Sequence, residues 1–341
     1  MAKDTGKGAK SASKKGHKKE SNKYAKMVIP LFLVLIMLGT VVAYVASSNW
    51  GNRINNSQSP NVNPAFNNIQ DGLLIIPKDV GFARYADLKN DSVLNNTFNG
   101  YLWLKGSIPS AQIFNVDPQR DLFAIYPAGY FSNYNGQFVS LTDFGTSKIN
   151  NSWPDSTGSD NSHNLLSNLN VPVKKVSDTY YYTPSTVPVI SGIIDNVAPV
   201  AYVMEMGNTS LSSYGQYADL FDELKLKHIP IDNMTMEMVG TSSNLTYSDR
   251  YYAAVGPLDP ANTSTDRLYS YVAIMHLNQT VPDTDMQNLA LLQTSMQKMG
   301  FKVYNTESYN NYIVIEAQGS LGVCLDDMYS RWGFIKYQAS M

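Results

Sequence analysis

Three histidines follow residue 46, His163, His228 and His276, and no two stand at the helical spacing that lets a pair of imidazoles share a metal ion. No metal centre is expected from them. His276 falls in the alternating run YSYVAIMHLN, which reads as one face of a strand. The single cysteine, Cys324, has no partner for an intramolecular disulfide. It falls on the apolar side of a helical pattern, which implies a packed thiol and not a nucleophile. The sequence holds no G-x-S-x-G elbow and no phosphate-cradling G-x-x-x-x-G-K-[ST] loop. Ser159-Asp160-Asn161 resembles the SDN element of penicillin-binding enzymes, but no K-T-G accompanies it. No cofactor is expected.

Two groups of side chains remain. Asp87 and Asp219 each sit in a Tyr-Ala-Asp-Leu motif and would offer paired carboxylates if they faced each other across a dyad. Neither lies in the Asp-Thr/Ser-Gly loop that aspartic proteases use, so acid catalysis is the secondary expectation. The chain is also rich in tyrosine, with 23 residues and clusters at Tyr180, Tyr181 and Tyr182, at Tyr251 and Tyr252, and at Tyr309 and Tyr312. Tyrosine forms strands well, and it also offers a large amphipathic face at low entropy cost. These seven are the candidate binding surface, suited to a protein or glycan partner. Binding without catalysis is therefore the leading expectation, and a membrane-anchored hydrolase with an acidic site between two repeats is the alternative.

What must position these residues begins with an anchor. Residues 27–46, MVIPLFLVLIMLGTVVAYVA, run without a charge. A helix of that length covers the roughly 30 Å of a bilayer's hydrocarbon core. Residues 1–26 carry nine lysines against Asp4 and Glu20 alone, so the positive-inside rule places this tail in the cytoplasm and the remainder outside. The rest of the chain holds 17 basic and 26 acidic side chains, a balance that attracts no phosphate backbone and excludes nucleic acid as a partner. Residues 47–70 are rich in asparagine and lack periodicity, as a stalk would be. Nine Asn-x-Ser/Thr sequons follow the apolar run, at Asn55, Asn90, Asn95, Asn150, Asn208, Asn233, Asn244, Asn262 and Asn278, and are candidate glycosylation sites. The expected location is the cell membrane, with an extracytoplasmic C-terminal region.

Beyond the stalk, one unit is expected twice, as residues 71–197 and 198–341. Tyr85-Ala86-Asp87-Leu88 recurs as Tyr217-Ala218-Asp219-Leu220 at an offset of 132, and RDLFAIYPAG from Arg120 aligns with RYYAAVGPLD from Arg250 at 130. A third match, VPVKKVSDTYYY after Asn170 and FKVYNTESYNNY after Gly300, also falls at 130. Each copy reads as α+β: a strand (Leu73–Ile76; Ala201–Met204), a helix bearing YADL, a strand (Tyr101–Leu104; Met234–Val239), then a strand (Gln137–Leu141; Tyr269–Leu277), a helix and two more strands. The best-marked helix starts at Asp283 or Thr284 and stops at Gly300, and a last one covers Ser320 to about Arg331. The fold class expected is α+β, two pseudo-repeated sandwiches of ferredoxin-like pattern behind a single transmembrane helix.

Overall fold

The computed structural model describes residues 66–100, 108–126, 137–145, 173–176, 178–182, 188–206, 212–241, 248–279 and 283–332. The tail at 1–26, the apolar run at 27–46, residues 47–65, the Tyr101–Leu104 segment, Asn55, Asn150, Asn208 and Asn244 lie outside them. Among the described residues no helix is long and apolar enough to cross a membrane.

Eleven strands form one antiparallel sheet, in the order β10-β11-β9-β8-β7-β1-β2-β3-β6-β5-β4. They are β1 (Phe82–Asp87), β2 (Arg120–Ile125), β3 (Phe138–Asp143), β4 (Val173–Val176), β5 (Thr179–Tyr182), β6 (Val189–Gly192), β7 (Met236–Gly240), β8 (Ser248–Pro257), β9 (Tyr269–Leu277), β10 (Val303–Tyr309) and β11 (Tyr312–Gly319). Seven helices are described: α1 (Ile69–Ile75), α2 (Ser92–Gly100), α3 (Pro109–Phe114), α4 (Ile194–Met206), α5 (Tyr214–Leu226), α6 (Asp283–Lys298) and α7 (Leu321–Trp332). The protein is thus mixed α/β around a large antiparallel sheet.

Successive side chains of a strand point to opposite faces, and both faces here are apolar, so the sheet needs cover on each side. On one face, α2, α3, α6 and α7 pack on Phe82, Phe123, Met236, Tyr251, Tyr271 and Ile315. On the other, α1, α4 and α5 pack on Tyr85, Leu122, Val239, Tyr252, Ile274 and Val314. All strands from residues 71–197 lie in one half of the sheet and those from 198–341 in the other. They meet where β1 pairs β7, Tyr85 opposite Glu237.

Double-sided burial accounts for the differences from the expected elements. All six residues of β1 are buried, so Tyr85, Ala86 and Asp87 of the first YADL lie in a strand, with Leu88 in the turn that follows; the second YADL lies in α5 as expected. Conversely, Leu73–Ile76 and Ala201–Met204, expected as strands, lie largely in α1 and wholly in α4. A short apolar run carries no period that separates a buried strand from a buried helix. Asn68 decides for a helix in α1, since its side-chain oxygen caps the Asp71 N–H at 2.8 Å. Elsewhere β9 matches the expected Tyr269–Leu277, α6 starts at Asp283 and α7 covers most of the expected span from Ser320, and Gly300 supplies the positive φ of 112° that ends α6.

Candidate functional site

The half of the sheet from residue 198 onward gathers several of the residues considered above. Register places Tyr312 on β11 opposite His276 on β9, and His276 opposite Arg250 on β8. The three form a row on the face covered by α5. A bulge between Ser248 and Arg250 inserts Asp249 beside the row. Its Oδ1 meets His276 Nδ1 at 2.8 Å and Arg250 Nε at 3.5 Å. From above, α5 supplies Asp219, the aspartate of the second YADL. Its Oδ1 accepts from Arg250 Nη1 at 2.6 Å and its Oδ2 from the Tyr312 hydroxyl at 3.2 Å. Arg250 Nη1 also donates to the Gln216 carbonyl at 2.9 Å, so the guanidinium ties helix to sheet.

The row continues outward as an aromatic surface. His276 and Tyr312 pack edge to face at 5.3 Å between centroids, and Tyr312 lies 6.2 Å from Tyr309. Lys227, just past α5, holds its ammonium 3.6 Å from the Tyr309 ring centre and 2.6 Å from Glu307 Oε1. Burial, followed by the Asp219 charge, pushes the Tyr312 phenol up to about 12, so it stays a hydrogen-bond donor at neutral pH. Burial likewise raises the Tyr309 phenol.

Chemically, most of the charge in this arrangement is paired, while Glu223 on α5, beside Tyr309, keeps one buried carboxylate oxygen without a hydrogen-bond partner. Asp219 and Asp249 share one guanidinium, and Glu307 is taken by Lys227. Asp249 orients the His276 ring, as the acid of a catalytic triad would, but no hydroxyl or thiol among the described residues is hydrogen-bonded to that ring. No cluster of three or more potential metal ligands occurs among the described residues.

Asp87, the other member of the proposed acidic pair, lies elsewhere. Its carboxylate caps a turn, accepting from Lys89 N, Asn90 N and Asn90 Nδ2 at 3.2, 3.1 and 2.7 Å, and faces Arg120 Nε at 3.8 Å. Through β7 it aligns with the Val255 end of β8, whereas Asp219 sits over Arg250 at the other end. Five strand residues separate the two levels, about 17 Å. The two aspartates therefore do not converge.

Four of the seven candidate tyrosines are core residues: Tyr181, Tyr182, Tyr251 and Tyr252 are at most 4% exposed. Tyr180, Tyr309 and Tyr312 are half-buried, and only the last two belong to the row. Clustering in sequence could not separate these groups, because neighbours on a strand alternate between faces and both faces here are covered. Arg250 and Asp249 escaped notice because a bulge and a cross-strand register bring them together, and neither leaves a mark in sequence spacing. Of the described sequons, Asn90, Asn233, Asn262 and Asn278 are exposed and Asn95 is half-buried in α2.

Three further polar groups are buried and serve the fold. Arg84 meets Asp121 at 3.2 Å with both side chains fully enclosed, and Ser140 and Thr142 donate to Asp121 at 3.0 and 3.1 Å. Burial raises the Asp121 pKa, and the Arg84 charge opposes that rise. Asp91 caps α2 through Leu94 N at 2.8 Å, pairs with Arg267, and accepts from Tyr269 and Thr235, each at 3.1 Å. Glu237 accepts from Ile69 N at 3.1 Å and from the Tyr252 hydroxyl at 2.8 Å.

No family model matches the chain, and no curated protein matches it in sequence. Two crystal forms of TP0453 are similar in structure. Form III has a TM-score of 0.45 at 8% identity, covering 76% of this chain and 97% of that one. Form IV has a TM-score of 0.39 at 6% identity, covering 76% and 96%.

Proposed function

We propose that the chain is a membrane-tethered, extracytoplasmic binding or envelope-assembly protein without enzymatic activity, anchored by residues 27–46, which engages a protein or glycan partner through the His276–Tyr312–Tyr309 row. The observation that carries this reading is a half-exposed aromatic row beside which Asp219, Asp249 and Glu307 are already paired with Arg250 and Lys227. Such a surface offers aromatic faces and a preset cation at little ordering cost, which favours recognition. Partner capture from native membranes, comparing the unaltered chain with a Tyr309→Ala/Tyr312→Ala variant, tests it: one partner should be recovered by the first and lost by the second. Equal recovery by both would remove this face from the proposal.

A membrane-anchored hydrolase stays as the second reading, favoured by the Asp249–His276 contact alone. Turnover of a glycoside, ester or peptide panel that disappears in His276→Gln would establish it, and no turnover at all would end it.

The two halves of the sheet also favour an origin by duplication, in which each half is one α+β unit. Counting outward from the β1–β7 pair, each half places its first three strands in chain order; beyond them one half has β6-β5-β4 and the other β11-β10, so in both the later strands lie inside and the first half carries one strand more. Arg120 and Arg250, aligned in sequence, each face the aspartate of a YADL motif. The helices after β6 and β11, α4 and α7, pack on opposite faces, so the copies have diverged. An experimentally determined structure in which no single rotation overlays β1-β2-β3 on β7-β8-β9 would refute duplication.

A further inference from the structure

The sheet ends in two unlike edges. At one, β4 is four residues long and carries Lys174 and Lys175, the charges that keep an edge from pairing with another chain. At the other, β10 runs for seven residues, Val303 to Tyr309, with no proline and no lysine. Its one charged residue, Glu307, is held by Lys227. Its outer side pairs with no strand among the described residues. A long edge of this kind, free of lysine and proline and with its one charge paired, is a template for a further strand.

The surroundings of β10 are apolar as well. Of the four large hydrophobic side chains that stand exposed among the described residues, three lie on or next to elements flanking this edge. Leu291 (60% exposed) lies on α6, which packs on β10 from one face, and Met299 (66%) directly follows that helix. Leu226 (71%) precedes Lys227, which reaches β10 from the other face. Exposed apolar groups gathered on both sides of an open edge mark a surface meant to be covered.

The strand is also complementary to itself. Paired antiparallel with its own copy about Thr306, it sets Val303 opposite Tyr309, Asn305 opposite Glu307 and Thr306 opposite Thr306. Aromatic with β-branched and threonine with threonine are favourable cross-strand pairs, an amide opposite a carboxylate can hydrogen-bond, and no like charges meet. We propose that two copies of this chain associate edge to edge through β10, in an isologous dimer that continues the sheet across a two-fold axis and covers Leu226, Leu291 and Met299. A two-fold contact of this kind closes on itself, so it ends at a dimer and does not grow into a fibre. It shares Tyr309, Glu307 and Lys227 with the binding face proposed above, whereas Asn305 and Thr306 stand outside that row, so variants at these two positions test the dimer separately.

The test uses the full chain in detergent or lipid nanodiscs. In Thr306→Cys, the two cysteines would lie on the dyad, where antiparallel partners have Cα atoms about 4.5–5.5 Å apart, within disulfide reach. Mild oxidation should give a covalent dimer, while Lys175→Cys, at the opposite edge, should not. Two further variants predict opposite signs. Asn305→Glu faces Glu307 of the second copy and should weaken the dimer by roughly 2- to 30-fold, counting two equivalent pairs, and Asn305→Lys should tighten it by a similar factor. A chain that sediments as a monomer at every concentration, equal cross-linking at the two edges, or the same dimer constant in both Asn305 variants would each overturn the proposal.

Discussion

Glu237 makes stability depend on pH in a direction opposite to that of an ordinary salt-bridged acid. Its side chain lies between β1 and β8, 1% exposed, and accepts only from Ile69 N and Tyr252. Burial is the largest cause of its shift, and it raises the carboxyl pKa from 4.5 to about 7 against the lowering by those two hydrogen bonds. A raised folded-state pKa means that the fold holds the proton more tightly than the unfolded chain does. The stabilisation is therefore complete below the unfolded value and is lost as pH rises through about 7. The gap between the two values corresponds to about 3 kcal/mol. Glu237→Gln keeps the shape, keeps an acceptor for Ile69 and cannot ionise. Urea unfolding followed by circular dichroism from pH 5 to pH 8 should show the unaltered chain losing about 3 kcal/mol more than the variant over that range. At pH 8 the variant should be the more stable of the two, and its melting temperature higher by about 5–10 °C. Parallel curves for the two proteins would refute the reasoning, because they would mean that Glu237 titrates alike in the folded and unfolded chain.

The Asp91–Arg267 pair should behave differently. Asp91→Ala removes the cap of α2 and leaves a buried guanidinium uncompensated, costing about 3–5 kcal/mol in denaturant unfolding. Asp91→Ala/Arg267→Met should cost less than Asp91→Ala alone, and a double variant at least as unstable as the single one would contradict the pairing. Cys324 is fully buried, and burial lifts its thiol to about 12, so iodoacetamide at pH 8 should leave the native chain unmodified and label it in urea. Rapid labelling of the folded chain would place the cysteine elsewhere.

Elements whose local signals agree were legible before any coordinates. The helix from Asp283 begins at its expected residue, and Gly300 stops it with a conformation that side chains disfavour. The strand Tyr269–Leu277 follows its expected bounds, and Leu321, Cys324, Leu325 and Met328 are buried along α7 as their spacing implies. The two YADL motifs show where this fails. The same four residues run from a strand into a turn in one place and lie within a helix in the other, because the neighbours that bury them differ. The same limit explains the tyrosines. Their number was visible, but burial of Tyr251 and Tyr252 on opposite faces depends on helices packed from both sides.

By itself, the sequence determined whatever depends on residue type along the chain: an uncharged run long enough to span a bilayer, the lysine excess before it, a lone cysteine, and the capped helices. Only the tertiary structure decided what depends on which strands become neighbours. The β1–β7 pairing puts both halves in one sheet, and the β8 bulge brings Asp249 to His276. The long-range register that joins β11, β9 and β8 lines up Tyr312, His276 and Arg250 under Asp219, and it also leaves β10 at the edge. Strand pairing is a contest between every edge and every other, settled by the packing of whole faces, and a linear spacing carries no record of its outcome.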